Sequence, residues 1–272
     1  MRAEPGEPLR ARARVLENRR EGPSHLRLRL AVPGFGGFSP GQFAMLSPGP
    51  LTPSRDPLLP RPMAIYRCEG EGAPDPVVEI LYKVHGRGTA ALAAAREGEV
   101  LGLVGPLGRG FPLPAEGEGA ILVGGGTGIA SLLELARRAA ARGPVEVLLG
   151  ARAESELMGL GDFEALDLAL HVATEDGSRG RRGRVTALLP DALARAPGAA
   201  VYACGPTPMM RVAAERAAAA GRPVRASLEN PMACGFGVCL GCAAPLRGGG
   251  FALVCRDGPV FDAAAVDWDR MA

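Results

Sequence analysis

Ala120-Ile121-Leu122-Val123-Gly124-Gly125-Gly126-Thr127-Gly128-Ile129 runs from an apolar stretch through a glycine-rich turn into a segment of helical spacing (Ile129, Leu132, Leu133, Ala136). The apolar stretch reads as a buried strand. A glycine-rich turn between strand and helix lets backbone N–H groups and the helix N-terminus close on a pyrophosphate. Ile129 stands where G-x-G-x-x-G would place its last glycine, and glycines at such a point can also simply make a tight turn. The surroundings bear on the choice. Further strands are expected over 145–149, 168–173 and 199–204, and helices over 129–141, 155–166, 185–194 and 208–220. This alternation predicts right-handed βαβ units and a parallel sheet. Cys204-Gly205-Pro206, followed by Met209 and Met210, ends a later strand of that sheet and opens another helix. Open α/β sheets bind ligands at the carboxyl ends of their strands, and both motifs fall there.

Before residue 108 the apolar period is two. Leu26, Leu28, Leu30 and Val32 alternate with Arg27, Arg29 and Ala31, placing the apolar set on one strand face. Other strands are expected over 42–46, 63–68, 77–84 and 99–104, punctuated by Pro/Gly pairs, with one short helix over 89–96. Short strands at this spacing predict a small barrel or sandwich. A Pro/Gly-rich stretch over 108–119 reads as a linker.

Beyond residue 229 the pattern is irregular and holds Cys234-x4-Cys239-x2-Cys242-x12-Cys255. That is the plant-type ferredoxin spacing for a [2Fe–2S] cluster. Gly235, Gly237 and Gly241 lie between the ligands and let backbone N–H groups approach inorganic sulfide. A structural zinc site is the competing reading, although zinc sites usually pair cysteines as two C-x2-C knuckles and only one is present here. The resulting organisation is 1–113, 114–226 and 227–272, with a tail too small to be stable without its cluster.

Composition narrows the function classes. The chain has 272 residues, 31 basic against 29 acidic, a near-balance that argues against nucleic-acid or anionic-membrane binding. Lys83 is the only lysine. The charged N-terminal stretch has no apolar core of a signal peptide, and no run reaches the ~20 apolar residues of a membrane helix, so a cytoplasmic protein with reduced cysteines is expected.

Arg61-Pro62-Met63-Ala64-Ile65-Tyr66 resembles the Arg-Pro-x-Ser/Thr flavin signature of the ferredoxin reductase superfamily, and Leu81-Tyr82-Lys83-Val84-His85-Gly86-Arg87-Gly88-Thr89 its second flavin segment. Residues 124–128 and 204–210 resemble its nicotinamide-domain motifs. The tail, from Glu229-Asn230-Pro231-Met232-Ala233-Cys234 to Cys255-Arg256-Asp257-Gly258-Pro259-Val260-Phe261, resembles the electron-transfer subunits of NAD-dependent dihydroorotate dehydrogenases. The resemblance covers nearly the whole chain. It implies an N-terminal antiparallel FAD-binding β-barrel, a Rossmann-like parallel α/β nicotinamide domain and a small [2Fe–2S] domain.

By the same resemblance, Arg61 neutralises the flavin pyrophosphate, Pro62, Met63 and Ala64 run along the isoalloxazine edge, and Leu81, Tyr82 and Lys83 contact the ribityl and adenine side. Gly88 and Thr89 open a short helix that can hold phosphate. Ala64 departs from the usual Ser or Thr, removing a hydroxyl near the flavin. Tyr82 can equally be an ordinary strand aromatic, and Cys204 either a residue near nicotinamide C4 or a small buried hydrophobe. Cys68 reads as strand core. The implied function passes electrons from the FMN of a catalytic partner, in a two-plus-two heterotetramer, through the cluster and FAD to NAD+ in pyrimidine biosynthesis. The loop 232–240 is expected to face that partner. The alternative is the small subunit of a ferredoxin–NAD(P) transhydrogenase, sulfide dehydrogenase or hydrogenase diaphorase; several such relatives carry Asp where Cys234 stands. A zinc-stabilised interaction module is the non-enzymatic reading. For dinucleotide choice, Glu154 would accept ribose hydroxyls and repel a 2′-phosphate, while Arg152 argues the other way.

Overall fold

A computed structural model describes residues 8–48 and 59–271. Its first sheet contains β1 (Leu9–Arg20), β2 (His25–Ala31), β3 (Phe43–Ser47), β4 (Arg61–Ala64), β5 (Arg67–Glu69), β6 (Val77–Lys83) and β7 (Val100–Leu107), with helix α1 (Arg87–Ala93) before β7. The strands are ordered β4-β3-β7-β1-β2-β6-β5 and pair antiparallel throughout. β4 and β5 occupy opposite edges, yet only Ile65 and Tyr66 separate them. The sheet must therefore curl until its edges meet. Ile65 N–H donates to Gln42 O on one side and Tyr66 N–H to Glu79 O on the other. This closure splits the strand expected over 63–68. Leu26, Leu28 and Leu30 point into the barrel core, as their alternation requires.

The second sheet is built from β8 (Ala120–Gly125), α2 (Leu133–Ala140), β9 (Val145–Ala151), α3 (Leu160–Glu164), β10 (Ala169–Thr174), β11 (Arg181–Arg182), α4 (Leu189–Arg195), β12 (Ala200–Cys204), α5 (Thr207–Ala219) and β13 (Val224–Ser227). After it come β14 (Ala243–Pro245), β15 (Phe251–Leu253), α6 (Val254–Asp257) and β16 (Val260–Asp262). The order is β11-β10-β9-β8-β12-β13-β16, parallel except for β16, which returns antiparallel to β13.

Three helices differ from expectation, the one expected over 185–194 beginning as a 3-10 turn, Val185–Leu188, before α4. The segment after the glycine turn begins as a 3-10 helix over Gly126–Ser131, and α2 starts only at Leu133. The helix expected over 155–166 breaks into a 3-10 turn, Glu154–Glu156, and the five-residue α3. Gly159 causes the break: it adopts φ 63°, and a Cβ there would lie 2.3 Å from the Tyr66 hydroxyl.

The tail does not stand apart. Cys242, Ala244, Val254, Cys255, Val266 and Trp268 share one buried cluster with Phe43 and Met45 of the barrel and Val201 and Ala226 of the second sheet. Each fully buried large apolar side chain contributes about 1.5–3 kcal/mol, so the tail draws stability from both neighbours and not from its cysteines alone. The stretch 108–119 is likewise pinned: Phe111 N–H donates to Pro40 O, and its ring packs edge-on against Tyr202 at 5.9 Å. Among the described residues, no helix is long and apolar enough to cross a membrane.

Charge also joins the two sheets. Arg27, on the outward face of β2, pairs with Glu21, Glu79 and Asp162, and the Tyr66 hydroxyl donates to Asp162 at 2.7 Å. Burial pushes the Asp162 carboxyl up, but hydrogen bonds from Arg27 and Tyr66 outweigh it and hold the group below its ordinary 3.8. Its contribution to stability is present above pH 3.8 and is lost as pH falls through the depressed value. Asp162→Ala takes one of three carboxylates from Arg27 and the acceptor from the Tyr66 hydroxyl, and is expected to cost about 2 kcal/mol. Thermal unfolding at neutral pH checks this, and the gap between the proteins should narrow in acid.

Candidate functional site

A cleft of about 450 Å³ opens between the barrel and the carboxyl ends of the second sheet. Arg61, Pro62, Met63, Ala64, Leu81, Tyr82, Lys83 and Thr89 all line it. Gly88 shapes its end: a Cβ there would lie 2.0 Å from Arg61 Nε, so the guanidinium rests directly on the first turn of α1. The Arg61 guanidinium, seated on that turn, is suited to a pyrophosphate. Thr89 is less available than expected, because its hydroxyl accepts from His85 N–H at 2.6 Å and donates to Gly86 O at 3.1 Å. Tyr82 belongs to the barrel core, its hydroxyl donating to Asn18 Oδ1 at 3.0 Å. Leu81 points the other way, into the core shared with α3. Lys83 Nζ pairs with Glu156 at 3.3 Å. Arg61→Ala is expected to weaken FAD retention about tenfold or more, the loss of one charge-assisted hydrogen bond; flavin content after desalting checks it.

A second cleft of about 770 Å³ adjoins the first, with Lys83, His85, Thr127 and Glu229 lining both. Gly125, Gly126, Thr127 and Pro206 form part of its wall. Gly124, Gly128 and Gly205 lie behind the wall and allow close packing. A Cβ on Gly128 would come within 2.4 Å of the Cys204 carbonyl and Gly205 N, and one on Gly205 within 2.7 Å of Gly125 O.

Cys204 is buried at the end of β12 and lines the first cleft with Ser131, Ser227 and Glu229. Burial pushes its thiol up to about 12, the Glu229 carboxylate adds to that, and the Ser131 and Ser227 hydroxyls oppose it. It is a neutral thiol at physiological pH, fitted for contact and not for nucleophilic attack. Glu229 is exposed at the open junction of the two clefts. Ser131 and Ser227 belong to no motif in the sequence; one ends the 3-10 helix after the glycine turn and the other ends β13, two residues before Glu229.

The four tail thiols come as two neighbouring pairs. Cys242 Sγ and Cys255 Sγ lie 3.2 Å apart and are buried, whereas Cys234 is half-buried beside the exposed Cys239. Among the described residues, no three side chains of ligand type gather as for a single metal ion. Burial raises the Cys234 thiol, but the backbone N–H groups of Cys239, Phe236 and Val238 and the Cys239 thiol bring it down to about 6. Burial and the adjoining Cys242 push Cys255 up to about 12. Gly235, at φ 88°, lets the loop lie on Met45 of the barrel, where a Cβ would come within 2.5 Å. Two thiol pairs with amides directed at sulfur fit two irons bridged by sulfide.

Residues 229–267 match the iron–sulfur cluster binding domain of dihydroorotate dehydrogenase B, and residues 122–215 the oxidoreductase NAD-binding domain. The chain is 41% identical to the dihydroorotate dehydrogenase B (NAD(+)) electron transfer subunit of Bacillus caldolyticus, covering 84% of this chain and 86% of that one. It is 39% identical to the subunit of the same name from Caldanaerobacter subterraneus subsp. tengcongensis, covering 94% and 97%. The chain belongs to the family of dihydroorotate dehydrogenase B electron transfer subunits. As such a subunit it is an oxidoreductase with an iron–sulfur cluster binding domain and an NAD-binding domain. The fold of the electron transfer subunit is shared with a solved NADH-dependent reduced ferredoxin–NADP oxidoreductase (TM-score 0.81, 29% identity, covering 94% of this chain and 90% of that one). A ferredoxin–NADP+ reductase from Neisseria gonorrhoeae, solved with FAD and NADP, shares the fold at 17% identity and TM-score 0.64, covering 79% and 92%.

Proposed function

We propose that this chain couples an FMN-containing, dihydroorotate-oxidising partner to NAD+ in pyrimidine biosynthesis, as half of a two-plus-two heterotetramer in the cytoplasm. The observation that carries the reading is the order of the sites. The first cleft shares Lys83, His85, Thr127 and Glu229 with the second, and its wall continues through Asn230, Pro231 and Met232 into Cys234. A flavin in the first cleft would lie between a dinucleotide and a cluster. FAD, when bound, exchanges hydride with nicotinamide and single electrons with an iron–sulfur centre, so that order suits a converter.

This chain's own residues then have distinct tasks. Arg61 and the first turn of α1 hold the flavin pyrophosphate across Gly88, and the backbone of 62–64 and 81–83 borders the ring and ribityl chain. Residues 124–128 with Gly205 and Pro206 set the dinucleotide, while the neutral Cys204 and the hydroxyls of Ser131 and Ser227 give the nicotinamide face a dry wall. Cys234, Cys239, Cys242 and Cys255 hold the cluster. Phe236, Val238 and Leu240 on the same loop are 56%, 75% and 63% exposed, an apolar surface beside the ligands that suits the partner subunit. Co-expression with the dihydroorotate-oxidising subunit tests the assembly. The reading expects one peak at the mass of two copies of each chain; separate elution of the two would contradict it.

A further inference from the structure

We propose that the exposed apolar loop of the cysteine tail is flanked by a basic collar, from the outer face of β1 on one side and from Arg109 and Arg256 on the other, and that the partner subunit docks there with an acidic rim. This rests on the reading of the chain as the partner of a dihydroorotate-oxidising subunit.

β1 supplies the longer flank. Ala11, Ala13 and Val15 point into the barrel core, so Arg10, Arg12 and Arg14 face outward, and all three are exposed. Arg12 and Arg14 pair with no carboxylate among the described residues, in a chain whose arginines mostly do. Strand register carries this row to the loop. Arg10 opposes Val104 on β7, Val104 opposes Met45 on β3, and Gly235 of the loop lies on Met45. At ~4.8 Å per strand, the row stands about 10 Å from that contact. Arg12 opposes Gly102, which opposes Ser47, so no bulky side chain rises between Arg12 and β3.

On the other flank, Arg256 follows the ligand Cys255, and its Cδ would lie 3.2 Å from a Cβ on Gly237, between Phe236 and Val238. Arg109 is exposed, and its N–H donates to Gly258 O. The carboxylate beside both, Asp257, already accepts from Leu253 N–H and Arg256. The other aspartates of the tail, Asp262, Asp267 and Asp269, pair with Arg225, Arg270 and Arg211. A net charge of +2 for the whole chain therefore hides a face of one sign. An apolar centre inside a charged rim is the anatomy of a protein–protein interface. The exposed Phe236, Val238 and Leu240 at its centre favour a protein over a polyanion. Cations at such a rim steer encounter and set its salt dependence.

The test is the association rate of the purified chain, carrying its flavin and cluster, with the dihydroorotate-oxidising subunit at rising NaCl. The rate is expected to fall about tenfold between about 50 mM and about 500 mM salt. Arg12→Glu with Arg14→Glu should slow association about tenfold at low salt and move the dissociation rate less than about twofold. Phe236→Ser should instead speed dissociation. Neither arginine lines a cleft, so flavin and iron per chain should hold; if the Glu variant loses them, Arg12→Gln with Arg14→Gln carries the comparison. An association rate indifferent to salt, or unchanged by the substitutions, would overturn the collar and leave the partnership standing. Substitutions that release the chain from duplex DNA while docking is unchanged would assign the row to a polyanion and overturn the collar too. Absence of a complex at every salt concentration would overturn the partnership and the collar with it.

Discussion

Cys239→Ser is expected to reduce dihydroorotate-driven NAD+ reduction in the assembled complex to background. The residue is exposed and packs into no core cluster, so the substitution spares the fold. What it removes is one thiolate of the pair with Cys234, and a hydroxyl is a poor ligand for iron held otherwise by sulfur. Iron and acid-labile sulfide per chain should fall together while flavin content holds. A variant with full iron content and full coupled turnover would show that Cys239 is not a ligand.

The second large effect is expected at Gly128. Its Cα faces the peptide joining Cys204 to Gly205, and the 2.4 Å clearance to three backbone atoms leaves nothing flexible to yield. Gly128→Ala must push the glycine turn away from the end of β12, separating the two motifs that shape the second cleft. A loss of about 3 kcal/mol in stability or dinucleotide binding follows, by analogy with other overpacked sites. Calorimetry together with NAD+ titration measures both, and an unchanged melting temperature with unchanged affinity would contradict the packing described.

Much of this was legible in residue order. Leu26, Leu28 and Leu30 announced a half-buried strand, and the run from Ala120 to Ile129 announced the strand-to-helix turn. The cysteine spacing announced the cluster, because a covalent ligand pattern is local in sequence. Interactions between distant segments were harder to see. β1 escaped notice, although Leu9-Arg10-Ala11-Arg12-Ala13-Arg14-Val15 alternates with period two; alanine carries too little apolar signal beside arginine. Gly159 broke the expected helix because Tyr66, 93 positions earlier in the chain, occupies the space a side chain would need. β16 and the tail core joined units expected to be separate, since three-residue strands have no period to read. Tyr82 and Thr89 illustrate the limit of motif transfer. Both line the first cleft, yet Asn18 claims the hydroxyl of one and the loop backbone that of the other.

As proposed, this chain is the conduit between a dihydroorotate-oxidising subunit and NAD+. The most direct measurement adds dihydroorotate and NAD+ to the partner alone, to this chain alone and to the two together, and follows NADH formation. NADH is expected only when both are present, at a rate that collapses when Cys239 is replaced by serine. NADH formation by the partner alone at the rate of the pair would contradict it.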